Sequence, residues 1–381
     1  MTMDIFRKTL DALQTDDRLM LATVVRTTGS TPASALSKML VGNSGSLGTV
    51  GGGSMEAEVI RKAIGLAGTG KAEIVTFHLN DDELVQGLIC GGDVHILIEP
   101  VSKDWAPMLK QVVGHRDNGE DGILLTLIDK EGIVRGKDFF DGSIAEDPGK
   151  FQKRWIGLGL ETSAELKEEL RKVVHHDGPR QVETGQGKLI LEPIRGIPGL
   201  VIFGGGHVSR SLTTVATLAG FHVTVADDRE AYANPNRFPE ASQTLVVDFT
   251  SAFKGIAVKP STSIVIVTRG HHFDEILLEQ ALGTPAGYIG MIGSKQKVHS
   301  AFSHLMERGV HPDKLKDVHA PVGIEIGAVS PEEIAVSIVA ELVALRRGKQ
   351  GTFHSKSEEL HLPPQNPAGP GTPEQASRFT N

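Results

Sequence analysis

The sequence predicts an α/β protein whose second half is a doubly wound parallel sheet of the Rossmann type, and three observations along one stretch predict it. An apolar run over residues 200–203 stops at three consecutive glycines: Gly204, Gly205 and Gly206. A helical pattern follows, with apolar residues spaced by three and four up to Gly220, which can cap a helix. A second short strand over residues 221–226 ends in Asp227, Asp228 and Arg229. Strand, glycine turn, helix and strand form the first βαβ unit of such a sheet.

This unit has the form of a dinucleotide-binding site. Glycine amides and the first turn of a helix bind phosphate, and an acidic residue about 20 residues further along accepts ribose hydroxyls. Asp227 or Asp228 stands at that position, and Arg229 beside them leaves open whether a 2′-phosphate is accepted. Ser209 replaces the third glycine of the usual pattern, a mild change because serine is small. The alternative is a fold that kept the turn and lost its ligand.

Composition argues against several classes of function. The 381 residues suffice for two or three domains. A net charge of -8 argues against nucleic acid or an anionic membrane as the main partner. No apolar run approaches the roughly 18 residues of a membrane span, and the first residues do not form a signal-peptide core, so we expect a cytoplasmic protein. The single cysteine, Cys90, excludes an internal disulfide and any multi-cysteine metal site within one chain.

The first half is predicted to alternate short strands, helices and polar turns. Apolar periodicity predicts three helices, over residues 4–14, 54–67 and 164–174. Apolar or alternating runs predict four strands, over residues 19–25, 37–41, 73–77 and 94–99. A hairpin is predicted over residues 123–136, with its turn at 129–132. Prolines and a glycine between residues 192 and 198 favour a domain boundary there.

Two motifs of the first half are candidate ligand sites. The glycines at 51–53 open a helix that carries Glu56. Such a loop can hold a phosphate or a pterin, or it is a tight connection whose glutamate complements the helix dipole. Cys90 precedes two glycines at the start of a strand. Glycines expose a thiol and offer amides that favour the thiolate, whereas a lone cysteine is more commonly a small buried hydrophobe.

The second half continues with alternating strands and helices. Strands are predicted over residues 244–247, 263–268 and 287–292, and each is followed by a helical or polar segment. That rhythm is typical of a parallel sheet covered by helices. Ser330 and Glu333 form a capping box that opens a long final helix.

Three further features of the second half bear on function. His271, with Asp274, follows a predicted strand at the edge where such sheets bind ligands. Ser294 follows the next predicted strand in the same way. Residues 349–381 are rich in proline, glycine and polar residues, so we expect a disordered or extended tail.

Together these motifs resemble the XdhC/CoxI family, accessory proteins of xanthine dehydrogenase and related molybdenum hydroxylases. In the first half the resemblance rests on four motifs: GSTP at 29–32, GGG at 51–53 with Glu56, CGG at 90–92 and EP at 99–100. In the second half it rests on five: FGGGHV at 203–208, DDR at 227–229, RGH at 269–271 with Asp274, YIGMIGS at 288–294 and PEEIA at 331–335. Their order and spacing agree along nearly the whole chain to Arg347.

The resemblance implies an N-terminal α/β domain with a mixed sheet over residues 1–196 and a C-terminal Rossmann domain over residues 197–348. It implies a protein that binds molybdenum cofactor (molybdopterin), protects it, promotes its sulfuration with a cysteine desulfurase and delivers it to the apo-hydroxylase. The residues expected at the cofactor site are Ser30, Gly51, Gly52, Gly53, Glu56, Cys90, Gly91, Gly92, Gly204, Gly205, Gly206, His207, Asp227, Asp228, Arg229, His271 and Ser294. Cys90 is also the expected neighbour of molybdenum, because a thiolate is a soft ligand.

The chain departs from the family pattern at two places. Ser54 stands where the family often has a cysteine, which leaves Cys90 as the candidate thiol. Residues 33–37 replace the more usual arginine and glycine, which argues against a phosphate-contacting arginine at that place.

These observations favour a cofactor chaperone that is not itself a catalyst. The Gly204 turn would be one wall of an interdomain site that also contains Cys90 and the glycines at 51–53. The alternative is an NAD(P)-dependent oxidoreductase that uses the same Rossmann domain, with His207 or His271 transferring a proton. A third hypothesis is a protein–protein adaptor without a ligand. We also expect a homodimer, which would shelter a labile cofactor better than one interdomain cleft.

Overall fold

Three β-sheets with helices on their faces form the described part of the chain. The computed structural model describes residues 4–29, 31, 33–78, 92–145, 147, 155, 164–175 and 178–348. The predicted tail lies outside these ranges, as do Ser30, Cys90 and Gly91. No helix within them is long and apolar enough to cross a membrane.

The first sheet has five strands in the order β3–β2–β1–β5–β4, and every neighbouring pair is antiparallel. Its strands are β1 (Met20–Gly29), β2 (Lys38–Gly42), β3 (Gly45–Gly48), β4 (Glu73–His78) and β5 (Gly92–Pro100). Helix α2 (Gly53–Leu66) covers one face, where Met55, Val59 and Ala63 are buried in the apolar core.

The second sheet has four antiparallel strands in the order β7–β6–β9–β8. They are β6 (Gly122–Ile128), β7 (Val134–Asp141), β8 (Arg180–Thr184) and β9 (Gly187–Ile194). The helices that pack around the two sheets are α1 (Ile5–Ala12), α3 (Ala106–Asp117) and α4 (Ala164–His175). Val25 and Leu97 of the first sheet share a small buried cluster with Ile128 and Ile190 of the second, so the two sheets form one packed unit.

The α/β class is confirmed, but the mixed sheet expected in the first half is in fact two antiparallel sheets. The physical reason is the connections: β2–β3, β6–β7 and β8–β9 are joined by short hairpins, which allow only antiparallel pairing. The predicted helices and the hairpin of β6 and β7 are present. The sequence patterns between residues 102 and 196 predict little beyond one hairpin and one helix, so they miss the hairpin of β8 and β9.

The third sheet has six parallel strands in the order β12–β11–β10–β13–β14–β15, the arrangement of a Rossmann domain. They are β10 (Gly199–Phe203), β11 (His222–Asp227), β12 (Gln243–Val246), β13 (Thr262–Ile266), β14 (Tyr288–Met291) and β15 (Val318–His319). The two residues of β15 are too few for a pattern to predict.

Helices cover both faces of the third sheet. On one face lie α5 (His207–Leu218) and α9 (Pro331–Arg346), and on the other α6 (His271–Ala281) and α7 (Lys295–Glu307). A single turn, α8 (Pro312–Leu315), precedes β15. The capping box of α9 is formed as predicted, with the Ser330 hydroxyl accepting from the Glu333 amide.

The two halves of the chain meet at the amino ends of the parallel strands, which we call the amino edge. Lys259 Nζ, just before β13, lies 2.7 Å from the Asn118 carbonyl oxygen and 3.0 Å from Glu120 Oε1. Gly196 packs directly on Gly119. The opposite, carboxyl edge carries the Gly204 turn. The cleft that the structure shows between the halves is therefore not the expected interdomain site with Gly204 as a wall.

Candidate functional site

The three glycines after β10 are glycines for different reasons. A Cβ on Gly204 would lie 2.4 Å from the Val267 carbonyl oxygen, and one on Gly205 would lie 2.1 Å from the Tyr232 carbonyl oxygen. Packing therefore requires both. Gly206 has an ordinary φ of -75°, and a Cβ there would meet no atom within 4 Å. Gly206 is not needed for packing, and its open side is the place where a ligand can approach the backbone.

The amino end of α5 begins at this open side. Gly206 is its N-cap residue, and no described side chain caps the helix by a hydrogen bond. His207 is exposed, and Ser209 is fully buried, which explains why a small residue stands there. The first amides of a helix have no intrahelical acceptor and lie at the positive end of its dipole. This helix end can therefore bind an anion such as a phosphate.

Asp227 ties the glycine turn to the end of β11. Its carboxylate is buried and accepts hydrogen bonds from the Gly205 amide (2.7 Å) and from the Arg229 amide, Nε and Nη2 (2.9–3.1 Å). Burial raises the pKa of Asp227, but the hydrogen bonds from Arg229 and Gly205 outweigh it and lower this pKa below its usual value. Because both oxygens are already bonded, Asp227 stabilises the turn and has little capacity left for ribose hydroxyls.

Asp228 is the acid with acceptor capacity. Its Oδ2 accepts from Arg269 Nη2 at 2.9 Å, which joins the loops after β11 and β13. Its Oδ1 lies 3.4 Å from Arg229 Nε but receives no hydrogen bond from any residue that the structure describes. Oδ1 is buried, so a hydroxyl or ring N–H group of a ligand would reach this carboxylate from the side of Oδ2, which can accept a second hydrogen bond.

Arg229 is committed to other contacts. Besides its bonds to Asp227, its guanidinium lies 3.6 Å from the centroid of the Tyr232 ring, a cation–π contact. The nearby Arg237 donates from Nε to the Gly205 carbonyl oxygen at 2.8 Å. Both arginines therefore support the turn, so neither is the obvious partner of a 2′-phosphate.

The remaining predicted residues of this edge lie in the loops after β13 and β14. Asp274 is buried and accepts from the Thr268 hydroxyl at 2.6 Å, which orders the loop before α6. His271 begins α6, and its side chain lies outside what the structure describes. Ser294 caps α7 by accepting from the Lys297 amide at 3.4 Å. The topology thus brings the predicted residues of the second half to one edge, the carboxyl edge.

In the glycine turn of the first half, the backbone amides donate to a carboxylate of the same chain, that of Glu56. Gly51, Gly52 and Gly53 all have positive φ, between 64° and 132°. Glu56 Oε1 accepts from the Gly52 amide (2.9 Å), the Val50 amide (3.0 Å) and the Thr49 hydroxyl. Partial burial raises the pKa of Glu56, but these hydrogen bonds outweigh it and lower this pKa. The geometry fits the interpretation of a tight connection, since an external phosphate would compete with Glu56.

Polar side chains that sequence reasoning missed lie where β4 and β5 pair. Asp93 Oδ1 is 2.9 Å from His78 Nδ1, and the Thr76 hydroxyl is 3.0 Å from His95 Nδ1. Burial and then the charge of Arg26 lower the pKa of His95. These polar residues could have been found from the alternation of residues along β4 and β5, because residues two apart in a strand lie on one face.

Gly92, the last residue of the CGG motif, begins β5. It packs so closely on β1 that a Cβ would lie 2.0 Å from the Thr28 carbonyl oxygen. The other two residues of that motif, Cys90 and Gly91, lie outside the described residues. Within the described ranges, no group of three or more histidine, cysteine, aspartate or glutamate side chains is placed to hold a metal ion.

Two family models match the chain. The model of the XdhC and CoxI family matches residues 12–78, and that of the XdhC Rossmann domain matches residues 200–342. The first match covers the glycines at 51–53 and Glu56, and the second covers the Gly204 turn, Asp228 and Ser294. Both halves of the chain therefore carry the family's sequence pattern.

Relatives and solved structures are similar over different lengths. A Bacillus subtilis (strain 168) protein named as a probable xanthine dehydrogenase subunit is 27% identical over 347 residues, 90% of this chain and 98% of that protein. The uncharacterized protein YqeB of Escherichia coli (strain K12) is 32% identical over 173 residues, 45% of this chain but 30% of YqeB. A crystal structure described as a xanthine dehydrogenase from Bacillus halodurans has a TM-score of 0.71 and 25% identity, covering 92% of this chain and 98% of that chain. With motifs, family models and fold in agreement, the chain belongs to the XdhC/CoxI family.

Proposed function

We propose that this protein binds molybdenum cofactor and assists its sulfuration and its insertion into a molybdenum hydroxylase of the xanthine dehydrogenase type. One observation carries the proposal: the amino end of α5 has no side-chain cap, and it opens beside Gly206, where the backbone is accessible. A phosphate needs amide donors of this kind. The apo-hydroxylase and a cysteine desulfurase are the partners that this function requires.

The donor and acceptor groups of the carboxyl edge fit the cofactor. The phosphate would be held by the first amides of α5, including that of His207. The pterin carries N–H donors, and the Asp228 carboxylate could accept one at Oδ2, beside its bond to Arg269. Arg269 would hold Asp228 in place through its bond to Oδ2. When bound, the cofactor supplies the molybdenum and its sulfur or oxygen ligands.

Cys90 enters the proposal from the sequence. A thiolate is a suitable neighbour for molybdenum, and Cys90 is the one cysteine of the chain. A homodimer is part of the proposal as well. The carboxyl edge lies opposite the edge at which the first half of the same chain packs, so a second copy of the chain is what would cover it.

The test is retention of cofactor by the full chain purified from a molybdenum-replete host. We expect molybdenum and pterin in stoichiometric amounts by mass spectrometry, and less of both in Gly206→Ala, because the new methyl group would block the open side of the turn. Gly185→Ala is the matched control, since a Cβ there also meets no atom within 4 Å and the residue lies in the hairpin of β8 and β9. Equal retention by Gly206→Ala and Gly185→Ala would contradict the proposed site.

Cys90→Ser tests the thiol separately. We expect the variant to keep its fold and to lose cofactor faster during gel filtration. If it retains cofactor as well as the wild type, Cys90 is not part of the site. Transfer is tested by adding the loaded protein to apo-hydroxylase and measuring hydroxylase activity with and without the cysteine desulfurase.

A second candidate function is an NAD(P)-dependent oxidoreductase, and one observation favours it. The Asp228 carboxylate, at the end of β11, would suit a ribose hydroxyl as well as a pterin N–H. A thermal-shift screen with NAD, NADP and pterin compounds separates the two. A shift with NAD or NADP alone supports the oxidoreductase, and no shift with any compound supports an adaptor without a ligand.

A further inference from the structure

A large cleft lies between the two halves of the chain at the amino edge of the third sheet. Its volume is about 1320 Å³, above the range of about 300–1,000 Å³ usual for small-molecule sites. Residues of the first half, of the connection over residues 193–198 and of the second half line it. Ligands of doubly wound sheets bind at the opposite, carboxyl edge. The cleft is therefore separate from the Gly206 site, and it has room for several side chains of a peptide segment.

Apolar residues from both halves line the cleft and are only partly buried. Ile5 and Leu36 belong to the first half, Ile197 and Pro198 to the connection, and Leu345 to the last turn of α9. Each of the five keeps part of its surface accessible. Removing apolar surface from water is favourable in proportion to the area that is covered. The cleft would therefore be stabilised by an occupant with apolar side chains.

The described part of the chain ends at this cleft. Helix α9 ends at Arg346, and Gly348, the last residue that the structure describes, is itself one of the residues that line the cleft. The predicted tail, residues 349–381, therefore begins at the cleft. Phe353 comes five residues after Gly348, and five residues span at most about 18 Å even when fully extended. The first part of the tail is thus always within reach of the cleft.

The large apolar residues of the tail are concentrated next to this point. Residues 349–362 contain Phe353, Leu360 and Leu362, whereas residues 363–381 are mostly proline, glycine and polar residues. A linked segment has an effective concentration in the millimolar range, so contacts too weak to hold a free peptide can still hold it. A second copy of the chain or a separate peptide would also lose translational and rotational freedom on binding. These costs favour the chain's own tail as the occupant of the cleft.

We propose that residues 349–362 dock in the cleft of the same chain as an extended segment. The side chains of Phe353, Leu360 and Leu362 pack on the partly buried apolar residues that line the cleft. A segment in this position contacts both halves of the chain and stabilises their relative position. This role is independent of the carboxyl edge and of any cofactor that binds there.

Hydrogen–deuterium exchange of the full chain tests the docking. In Phe353→Ser, the amides of residues 34–37 and 195–197, which line the cleft or adjoin it, should exchange about tenfold faster than in the wild type. The reason is that burial of a phenylalanine side chain shifts a docking equilibrium by about this factor or more. Phe379→Ser is the matched control, because it makes the same substitution in the same tail beyond the docked segment. Its exchange should equal that of the wild type.

A double variant, Leu360→Ser with Leu362→Ser, tests the other end of the docked segment and should accelerate the same amides. Thermal unfolding should stay cooperative in every variant, since none of these substitutions changes a residue of the described core. Unchanged exchange in Phe353→Ser and in the double variant overturns the proposal, as does equal acceleration by Phe353→Ser and Phe379→Ser. Protection of the cleft that increases with protein concentration also overturns it, because a second copy would then be the occupant.

Discussion

The glycine turn at 51–53 and the glycine turn at 204–206 look alike in sequence, since each is a GGG that opens a helix. They differ in what their amides do. In the first turn, the amides of Val50 and Gly52 donate to Glu56, one turn into the same helix. In the second, only the Gly205 amide is taken by an acid, Asp227, and the helix has no side-chain cap. We therefore expect an external anion at the second turn and not at the first, where the chain supplies the anion itself.

The largest expected loss of stability comes from a substitution in the second turn. Gly205→Ala places a Cβ 2.1 Å from the Tyr232 carbonyl oxygen, a contact with backbone that cannot move aside easily. We expect a loss of about 3 kcal/mol in the free energy of unfolding, measured in urea. Gly185→Ala serves again as the control. Stability equal to that control would mean that the turn is looser than described.

Asp227→Ala should cause the second-largest loss of stability. It leaves the buried Gly205 amide and the Arg229 guanidinium without their acceptor, at an expected cost of about 2–3 kcal/mol. The effect has a defined pH dependence. Because the folded pKa of Asp227 is lowered, its stabilisation is complete above the unfolded pKa of about 4 and is lost as the pH falls through the folded pKa.

Unfolding curves of wild type and Asp227→Asn test this pH dependence. The two should differ most near neutral pH and converge on acidification. Curves that stay equally far apart down to the lowest pH would show that the ionised carboxylate is not what stabilises the turn.

Glu56→Ala should have a smaller effect on stability. It should also make the first turn able to bind an external anion. Losing the acceptor of the first turn costs about 1 kcal/mol, but it frees the amides of Val50 and Gly52 for another anion. Inorganic phosphate should then raise the Tm of the variant more than that of the wild type. Glu58→Ala, in the same helix but paired with Arg61, is the control and should show no phosphate effect. An equal phosphate effect in all three proteins would contradict the role of Glu56 as the anion of its turn.

Gly206→Ala should have the smallest effect on stability, within about 0.5 kcal/mol of the wild type. Open space around its Cβ position is the reason. Urea unfolding measures it beside Gly205→Ala, and the contrast between neighbouring glycines separates packing from ligand access. A large loss in both variants would remove that distinction.

The local parts of the fold could be predicted from the sequence. The order β10, glycine turn, α5 and β11 depends on spacings within about thirty residues, and so does the capping box of Ser330 and Glu333. The antiparallel order of the first half could not be predicted, because β1 lies between β2 and β5, and β5 is more than sixty residues away in sequence. The pairing of distant strands leaves no local signal.

The sequence by itself determined which residues are candidates: three glycines before α5, two adjacent aspartates after β11, and a glutamate after the other glycine triplet. Only the tertiary structure decided between them. It surrounds Asp227 with donors, ties Asp228 to Arg269, and occupies the first turn with Glu56. The physical reason is that burial and hydrogen-bond partners depend on which distant segments pack together. The pattern along the chain indicates which segments form strands and helices, but not which of them are neighbours.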